Sequence, residues 1–191
     1  MKKTHYLLPT MLVILLAWSA PALAGQKAGI TMPDTIKVAG KTLVLNGLGL
    51  REATIFNVDV YVAGLYVESK SKNGDAIAAS RGVKRMHLKF KRDVDQDDMA
   101  EAWNTGFKKV AKKDWNALKD RVATLRKWME DIHKGKSLIL TYVPDKGVKV
   151  EINGKVKGVI AGDDFARALF SIWIGRNSPY GSMRSGLLGA K

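Results

Sequence analysis

The sequence of 191 residues contains no cysteine. This absence excludes a disulfide framework, a zinc site with thiolate ligands, a cysteine nucleophile and a lipid anchor on cysteine. Histidine is scarce: after residue 24 only His87 and His133 occur, far apart in the sequence and without the carboxylate spacing of a metal site. Phosphate-binding loops are missing too, because the segment GLGLRE lacks the spacing of a dinucleotide motif. We therefore predict neither a metal nor another cofactor.

Long apolar runs are equally rare, and the one present stands at the start of the chain. An apolar stretch over residues 7–18 follows two lysines and precedes an Ala-Leu-Ala cleavage motif at residues 22–24. This anatomy predicts a signal peptide over residues 1–24, a mature domain over residues 25–191 and export to the periplasm. The alternative is an uncleaved membrane anchor, but the run is shorter than the ~20 residues that a spanning helix needs.

The rest of the composition is that of a globular protein with a strong positive charge. Hydrophobic residues make up 46% and charged residues 26%, which excludes a disordered or fibrous chain. Lysine and arginine number 32 against 18 acidic residues, a net charge of +14. The excess is concentrated in residues 107–136, and such a run of charge is typical of a solvated helix face. The alternative, in an exported protein, is peripheral contact with anionic lipid or another polyanion rather than with nucleic acid.

The apolar pattern and the turn residues predict one α+β domain. Predicted strands cover residues 35–45 (a short hairpin), 54–68, 83–91, 137–143, 148–152 and 155–160. Predicted helices begin at Asp93 or Asp95, at Asp114 with an apolar stripe that continues to Ile132, and at Gly162 with an end at Gly175. The tail from Asn177 is predicted to be loose. The expected architecture is an antiparallel sheet with its helices on one face.

The segment 54–68 is the longest predicted strand. If it runs straight, its alternation places Arg51, Asn57, Asp59 and Tyr61 on one face. Gly64 then marks a bulge or a close backbone approach.

Three segments carry a resemblance to a known family. They are LNGLGLREATIFNVDVYVAGLYVES at residues 45–69, the helix start after RDVD, and DDFARALFSIWIG at residues 163–175. Over residues 35–185 the chain resembles the chalcone isomerase-like family, most closely its bacterial exported members. The resemblance implies an open-faced β-sandwich, in which helices cover a large antiparallel sheet and a ligand cleft lies between the two layers.

The resemblance also implies one of two functions. Catalytic members cyclise a chalcone to a flavanone, whereas non-catalytic plant relatives bind fatty acids in the same cleft. The family's arginine corresponds to Arg51, which follows a glycine-rich turn. Its threonine corresponds to Tyr61, a substitution that looks like the fatty-acid-binding branch. Where catalytic members have further polar side chains, this sequence has Met99, Gly106, Ile172 and Trp173.

We therefore expect a non-catalytic protein that binds a fatty acid or a similar anionic amphiphile. Arg51 and Tyr61 would hold the carboxylate through a guanidinium and a phenol hydroxyl. The residues expected against the acyl tail are Met99, Trp103, Ile172 and Trp173. No residue is assigned a catalytic role. Two alternatives stay open: an isomerase or lyase with an unknown substrate, and a protein-interaction module whose cleft is filled by side chains.

Overall fold

The computed structural model describes residues 24–53 and 58–189. Its strands are β1 Ala24–Lys27, β2 Ile30–Pro33, β3 Thr35–Val38, β4 Lys41–Ala53, β5 Val58–Val67, β6 Lys84–Phe90, β7 Ser137–Val143, β8 Gly147–Ile152 and β9 Lys155–Ile160. Its helices are α1 Gly74–Ala79, α2 Gln96–Ala111, α3 Trp115–Lys127, α4 Asp163–Ile174 and α5 Gly181–Leu187, with a 3-10 turn at Lys112–Asp114 between α2 and α3. The predicted signal peptide lies outside the described residues except for Ala24.

Strands β3 to β9 form one antiparallel sheet of seven strands in chain order. The helices pack on one face of this sheet, and the main core lies between the two layers. Met86, Leu88 and Phe90 of β6 are at most 1% exposed and face the helices, as their alternation predicts. The α+β open-faced sandwich expected from the sequence is therefore confirmed.

Local sequence signals account for several element boundaries. The side chain of Asp95 accepts a hydrogen bond of 2.8 Å from the backbone N–H of Asp98, which caps the start of α2. Helix α4 occupies the predicted segment and ends before Gly175. Strands β7, β8 and β9 follow the predicted hairpins within one residue.

The opposite face of the sheet is covered in part by the β1–β2 hairpin. The Tyr66 hydroxyl donates a hydrogen bond of 2.9 Å to the carbonyl oxygen of Pro33, and Met32 is 2% exposed. Gly64 lies beneath the Met32 sulfur, where a Cβ atom would collide with it. The group that approaches Gly64 is thus a side chain of the β1–β2 hairpin and not the backbone that the prediction named. No strand was predicted for residues 24–33.

Two predictions for glycine-rich segments were wrong for a shared physical reason. The glycine-rich segment expected to form a turn lies inside β4, and the tail expected to be loose contains α5. A Cβ atom at Gly47 would collide with the carbonyl oxygen of Gly186, and one at Gly49 would meet Met183. These glycines let α5 lie directly against the strand, and Met183 and Leu187 are at most 1% exposed.

The second predicted helix is shorter than its apolar stripe. Helix α3 ends at Lys127, whereas the stripe continues to Ile132. Ile132 is fully buried, but its backbone forms an antiparallel bridge with Val94 instead of a further helical turn. Asp114 stands at the N-cap position without a side-chain capping bond. Within residues 24–53 and 58–189, no helix combines the length and apolar character needed to cross a membrane.

Candidate functional site

Arg51 and Tyr61 stand opposite each other on neighbouring strands. They are paired residues in the register of β4 and β5, and directly opposed residues of an antiparallel pair project to the same side of the sheet. Their shared face therefore arises from cross-strand pairing and not from one straight strand. Asp59 forms an ion pair with Lys91. Asn57 lies outside the described residues.

A small cavity between the sheet and the helices collects most of the residues predicted to bind a ligand. Its volume is about 40 Å³. The predicted residues that line it are Tyr61, Met99, Trp103, Ile172 and Trp173. Its other lining residues are Leu88, Ala102 and Tyr180. Five of the six predicted residues thus converge on one site, and Arg51 does not line this cavity.

Helices α2 and α4 bring the apolar side chains together. Met99 and Trp103 stand one helical turn apart on the buried face of α2. A Cβ atom at Gly106 would lie 3.2 Å from Ile172, so this glycine allows α2 and α4 to approach closely. The rings of Trp103 and Trp173 meet edge to face with centroids 5.6 Å apart. Gly106 therefore serves helix packing here.

Hydrogen bonds engage the polar atoms of the cavity wall. The Nε1–H of Trp173 donates a bond of 3.1 Å to the hydroxyl oxygen of Tyr61. The Nε1–H of Trp103 points to the sulfur of Met129 at 3.0 Å. Burial raises the pKa of Tyr61 well above its usual value, so this side chain is a neutral phenol at physiological pH. Its own O–H remains a donor for a ligand oxygen.

Arg51 lies outside the cavity, with Tyr180 between the two. The Arg51 guanidinium stands over the Tyr180 ring, 4.8 Å from its centroid. Both residues line a surface pocket of about 250 Å³ formed by the end of β4 and the start of α5. Because Tyr180 also lines the inner cavity, this side chain separates an apolar interior from a surface pocket that carries a positive charge.

The positive charge of Arg51 is not neutralised by a neighbouring acid. Its guanidinium donates to the backbone carbonyl of Glu52 rather than to the carboxylate. Among the described residues, no carboxylate lies within 4.0 Å of Arg51. The surface ion pair that the adjacent Glu52 would suggest is therefore absent from this part of the chain, and the guanidinium is available to an anion.

Tyr180 is the principal site residue that the sequence analysis missed. The Ser178 hydroxyl donates to the carbonyl of Ile172 at 2.8 Å and accepts from the Tyr180 N–H at 3.1 Å. These bonds fix the segment between α4 and α5 beside the cavity. Tyr180 itself was the available signal, because a large aromatic ring in a Gly- and Ser-rich tail gains free energy by packing against the domain.

A larger groove elsewhere is a weaker candidate. It has a volume of about 490 Å³ and lies among α1, α2, α3 and α4. Its arginines are already paired: Arg176 binds Asp75 at 2.7 Å and Arg167 lies 3.9 Å from Asp114. Within the residues that the structure describes, no group of three or more histidine, aspartate or glutamate side chains is arranged to hold a metal.

A family model described as chalcone isomerase-like matches residues 24–189. The chain belongs to the chalcone isomerase-like family. The match covers all of the described residues, including the β1–β2 hairpin and α5, and so extends beyond the segments that carry the resemblance in the sequence.

A solved structure agrees with this membership. The chalcone isomerase-like chain is similar to a fatty-acid binding protein from Arabidopsis thaliana, with a TM-score of 0.68 and 17% sequence identity. The alignment covers 87% of this chain and 96% of the other. At this level of identity the likeness establishes the fold. No curated protein matches the sequence significantly.

Proposed function

We propose that this chalcone isomerase-like domain binds a fatty acid or a similar anionic amphiphile. The observation that carries the proposal is the arrangement around Tyr180, with an apolar cavity on one side and the unpaired guanidinium of Arg51 on the other. A carboxylate at Arg51 and an alkyl chain in the interior match these two environments. The Arabidopsis neighbour, by its description, binds fatty acids, which supports the same ligand class.

Binding requires the site to open. The inner cavity of about 40 Å³ is far below the ~300 Å³ of a typical ligand pocket. The Tyr180 ring stands between the interior and Arg51, and Ala102 marks the exposed rim of α2. We infer that the acyl chain enters after Tyr180 swings away and the side chains between α2 and α4 repack. Methionine and tryptophan suit such repacking because they accommodate loosely shaped apolar groups.

The same site offers little for chalcone cyclisation. That reaction needs hydrogen-bond donors directed at a developing enolate. Here the indole N–H groups of Trp103 and Trp173 are already engaged in hydrogen bonds within the protein. We therefore propose a non-catalytic protein, exported after removal of residues 1–24. Sequencing of the mature N-terminus tests the export, and a chalcone assay tests the lack of catalysis.

Calorimetric titration with saturated fatty acids of increasing length tests the binding proposal. Each methylene that enters the cavity should tighten binding up to roughly fourfold until the site is full. Arg51→Gln should weaken binding roughly 10- to 150-fold, because it removes a charge-assisted contact. Lys41→Gln, which neutralises an exposed lysine of the β3–β4 hairpin, serves as the matched control.

The alternative of an interaction module with a filled cleft makes the opposite prediction. The small cavity volume is the observation that favours it. The amphiphile proposal fails if no fatty acid binds to the folded mature protein. It also fails if the affinity depends neither on the length of the fatty acid nor on Arg51. In either case the interaction module becomes the better account.

A further inference from the structure

The end of α2, the 3-10 turn and the start of α3 form a corner that is rich in lysine. We define the basic corner as Lys108, Lys109, Lys112 and Lys113, which are all exposed. Among the described residues, none of these lysines has a carboxylate within 4.0 Å. These lysines therefore form no ion pair, in contrast to Arg121 on α3, which binds Asp164 of α4. Asp114, the acid in the 3-10 turn, lies 3.9 Å from Arg167 of α4.

An aromatic residue stands within this corner. Trp115 is half-buried, and the ammonium of Lys108 lies 5.6 Å from the centroid of its ring. Tryptophan beside lysine is the combination that favours the boundary between water and lipid headgroups, because the ring is amphipathic and the long lysine stems lie along apolar surface. Trp115 also packs against the main core, which holds its ring in place beside the lysine.

The corner also contains a strained backbone conformation. Lys112 has a φ of 44°, in the left-handed region that glycine favours and that costs other residues energy.

The two ends of α2 carry opposite charge. The basic corner lies at its C-terminal end, and the first turn at the opposite end carries Asp97 and Asp98. The charge on α2 is therefore polarised along its axis, which orients the corner toward a negative surface and the acidic end away from it.

From these observations we propose that the basic corner docks the protein on an anionic lipid bilayer, with Trp115 at the headgroup level. The inference does not depend on fatty-acid binding, since it concerns exposed residues on the outside of the helical layer. It predicts binding to vesicles that contain no free fatty acid. Attraction of each lysine to an anionic surface contributes roughly fivefold in affinity, so the four together contribute several hundredfold at low salt.

Sedimentation of the mature protein with vesicles tests this proposal. The probes are vesicles of phosphatidylcholine alone and vesicles that also contain phosphatidylglycerol. The corner variant carries Lys108→Gln, Lys109→Gln, Lys112→Gln and Lys113→Gln. The matched control removes the same charge from exposed lysines elsewhere, with Lys37→Gln, Lys41→Gln, Lys70→Gln and Lys72→Gln.

The wild type and the control should bind only the anionic vesicles, with affinity that falls as salt is added. The corner variant should lose most of this binding while it unfolds at the same urea concentration. Equal binding by the corner variant and the control would overturn the proposal. So would a wild type that binds heparin through the corner lysines but binds no vesicle, because the surface would then serve a soluble polyanion. Quenching of Trp115 fluorescence by brominated lipid, absent in Trp115→Phe, provides a second readout.

Discussion

The indole N–H of Trp173 donates a hydrogen bond of 3.1 Å to the hydroxyl of Tyr61 and so joins helix α4 to strand β5. Both side chains are almost fully buried: Trp173 is 2% exposed and Tyr61 is 9% exposed. The bond ties the two layers of the sandwich together at the wall of the candidate cavity. Its integrity therefore affects the stability of the fold as well as the shape of the site.

Loss of this hydrogen bond should be measurable in the free energy of unfolding. Tyr61→Phe leaves the Trp173 N–H buried without an acceptor, so we expect a loss of about 1–3 kcal/mol in urea unfolding. A double-mutant cycle with Trp173→Phe isolates the bond from the packing changes. If the two single effects add without coupling, the bond contributes nothing to stability and this reading of the site is wrong.

Tyr180 should control the rate at which a fatty acid enters. Tyr180→Ala removes the ring stacked against Arg51, a contact that contributes about 0.5–1 kcal/mol at an exposed site. Association should accelerate roughly two- to fivefold in stopped-flow measurements that follow tryptophan fluorescence. Tyr180→Phe keeps the ring and serves as the control. Equal association rates for the alanine and phenylalanine variants would contradict a gating role.

The contact between β4 and α5 should depend on glycine at one position. Gly47→Ala places a methyl group against the carbonyl oxygen of Gly186, and we expect it to destabilise the protein by about 1–3 kcal/mol. Gly181→Ala is the matched control, because no heavy atom lies within 4 Å of its added Cβ. That variant should be neutral or stabilising by up to about 1 kcal/mol. If both variants lose a similar free energy of unfolding, the close contact between Gly47 and Gly186 is not the cause of the destabilisation.

Lys84 should make the stability of the protein rise with pH in the alkaline range. Its ammonium is buried, donates to the carbonyl oxygen of Ser80 at 2.5 Å and lies 4.2 Å from the centroid of the Tyr142 ring. Burial lowers the pKa of Lys84 from 10.5 to about 8.

Between these two values the unfolded chain binds more protons than the folded chain, so the free energy of unfolding increases with pH. The cost of the buried charge is fully present below the folded pKa. In Lys84→Met we expect this increase to disappear, which denaturant titrations at pH 7, 8, 9 and 10 can check. If the free energy of unfolding changes with pH by the same amount in the wild type and in Lys84→Met, Lys84 does not titrate in this range.

The sequence predicted those parts of the fold and site that depend on local periodicity. The helical spacing of Met99 and Trp103 and the alternation of β6 each define a buried face without tertiary information. The resemblance to the family then placed Tyr61, Ile172 and Trp173 beside that face. Contacts between distant segments were not predictable in this way.

The missed features share this dependence on long-range contacts. In the sequence, Gly47 has the character of a turn residue, and only the structure shows that it allows α5 to pack against β4. Likewise, Tyr180 lies in a segment with the composition of a loose tail, and only the structure shows that Ser178 links this segment to Ile172. The strand register that opposes Arg51 to Tyr61 was also beyond local reasoning. Alternation within one segment cannot reveal that the two residues belong to different strands.

Mass spectrometry of the lipids that co-purify with the mature protein tests the central claim most directly. The comparison is with Ala102→Trp, in which a large ring at the exposed rim of the cavity blocks access without replacing a core residue. Our account predicts that the wild type releases long-chain fatty acids, at up to one per chain, and that the equally folded variant releases far less. Folded wild-type protein that carries no fatty acid, or equal amounts on both proteins, would contradict it.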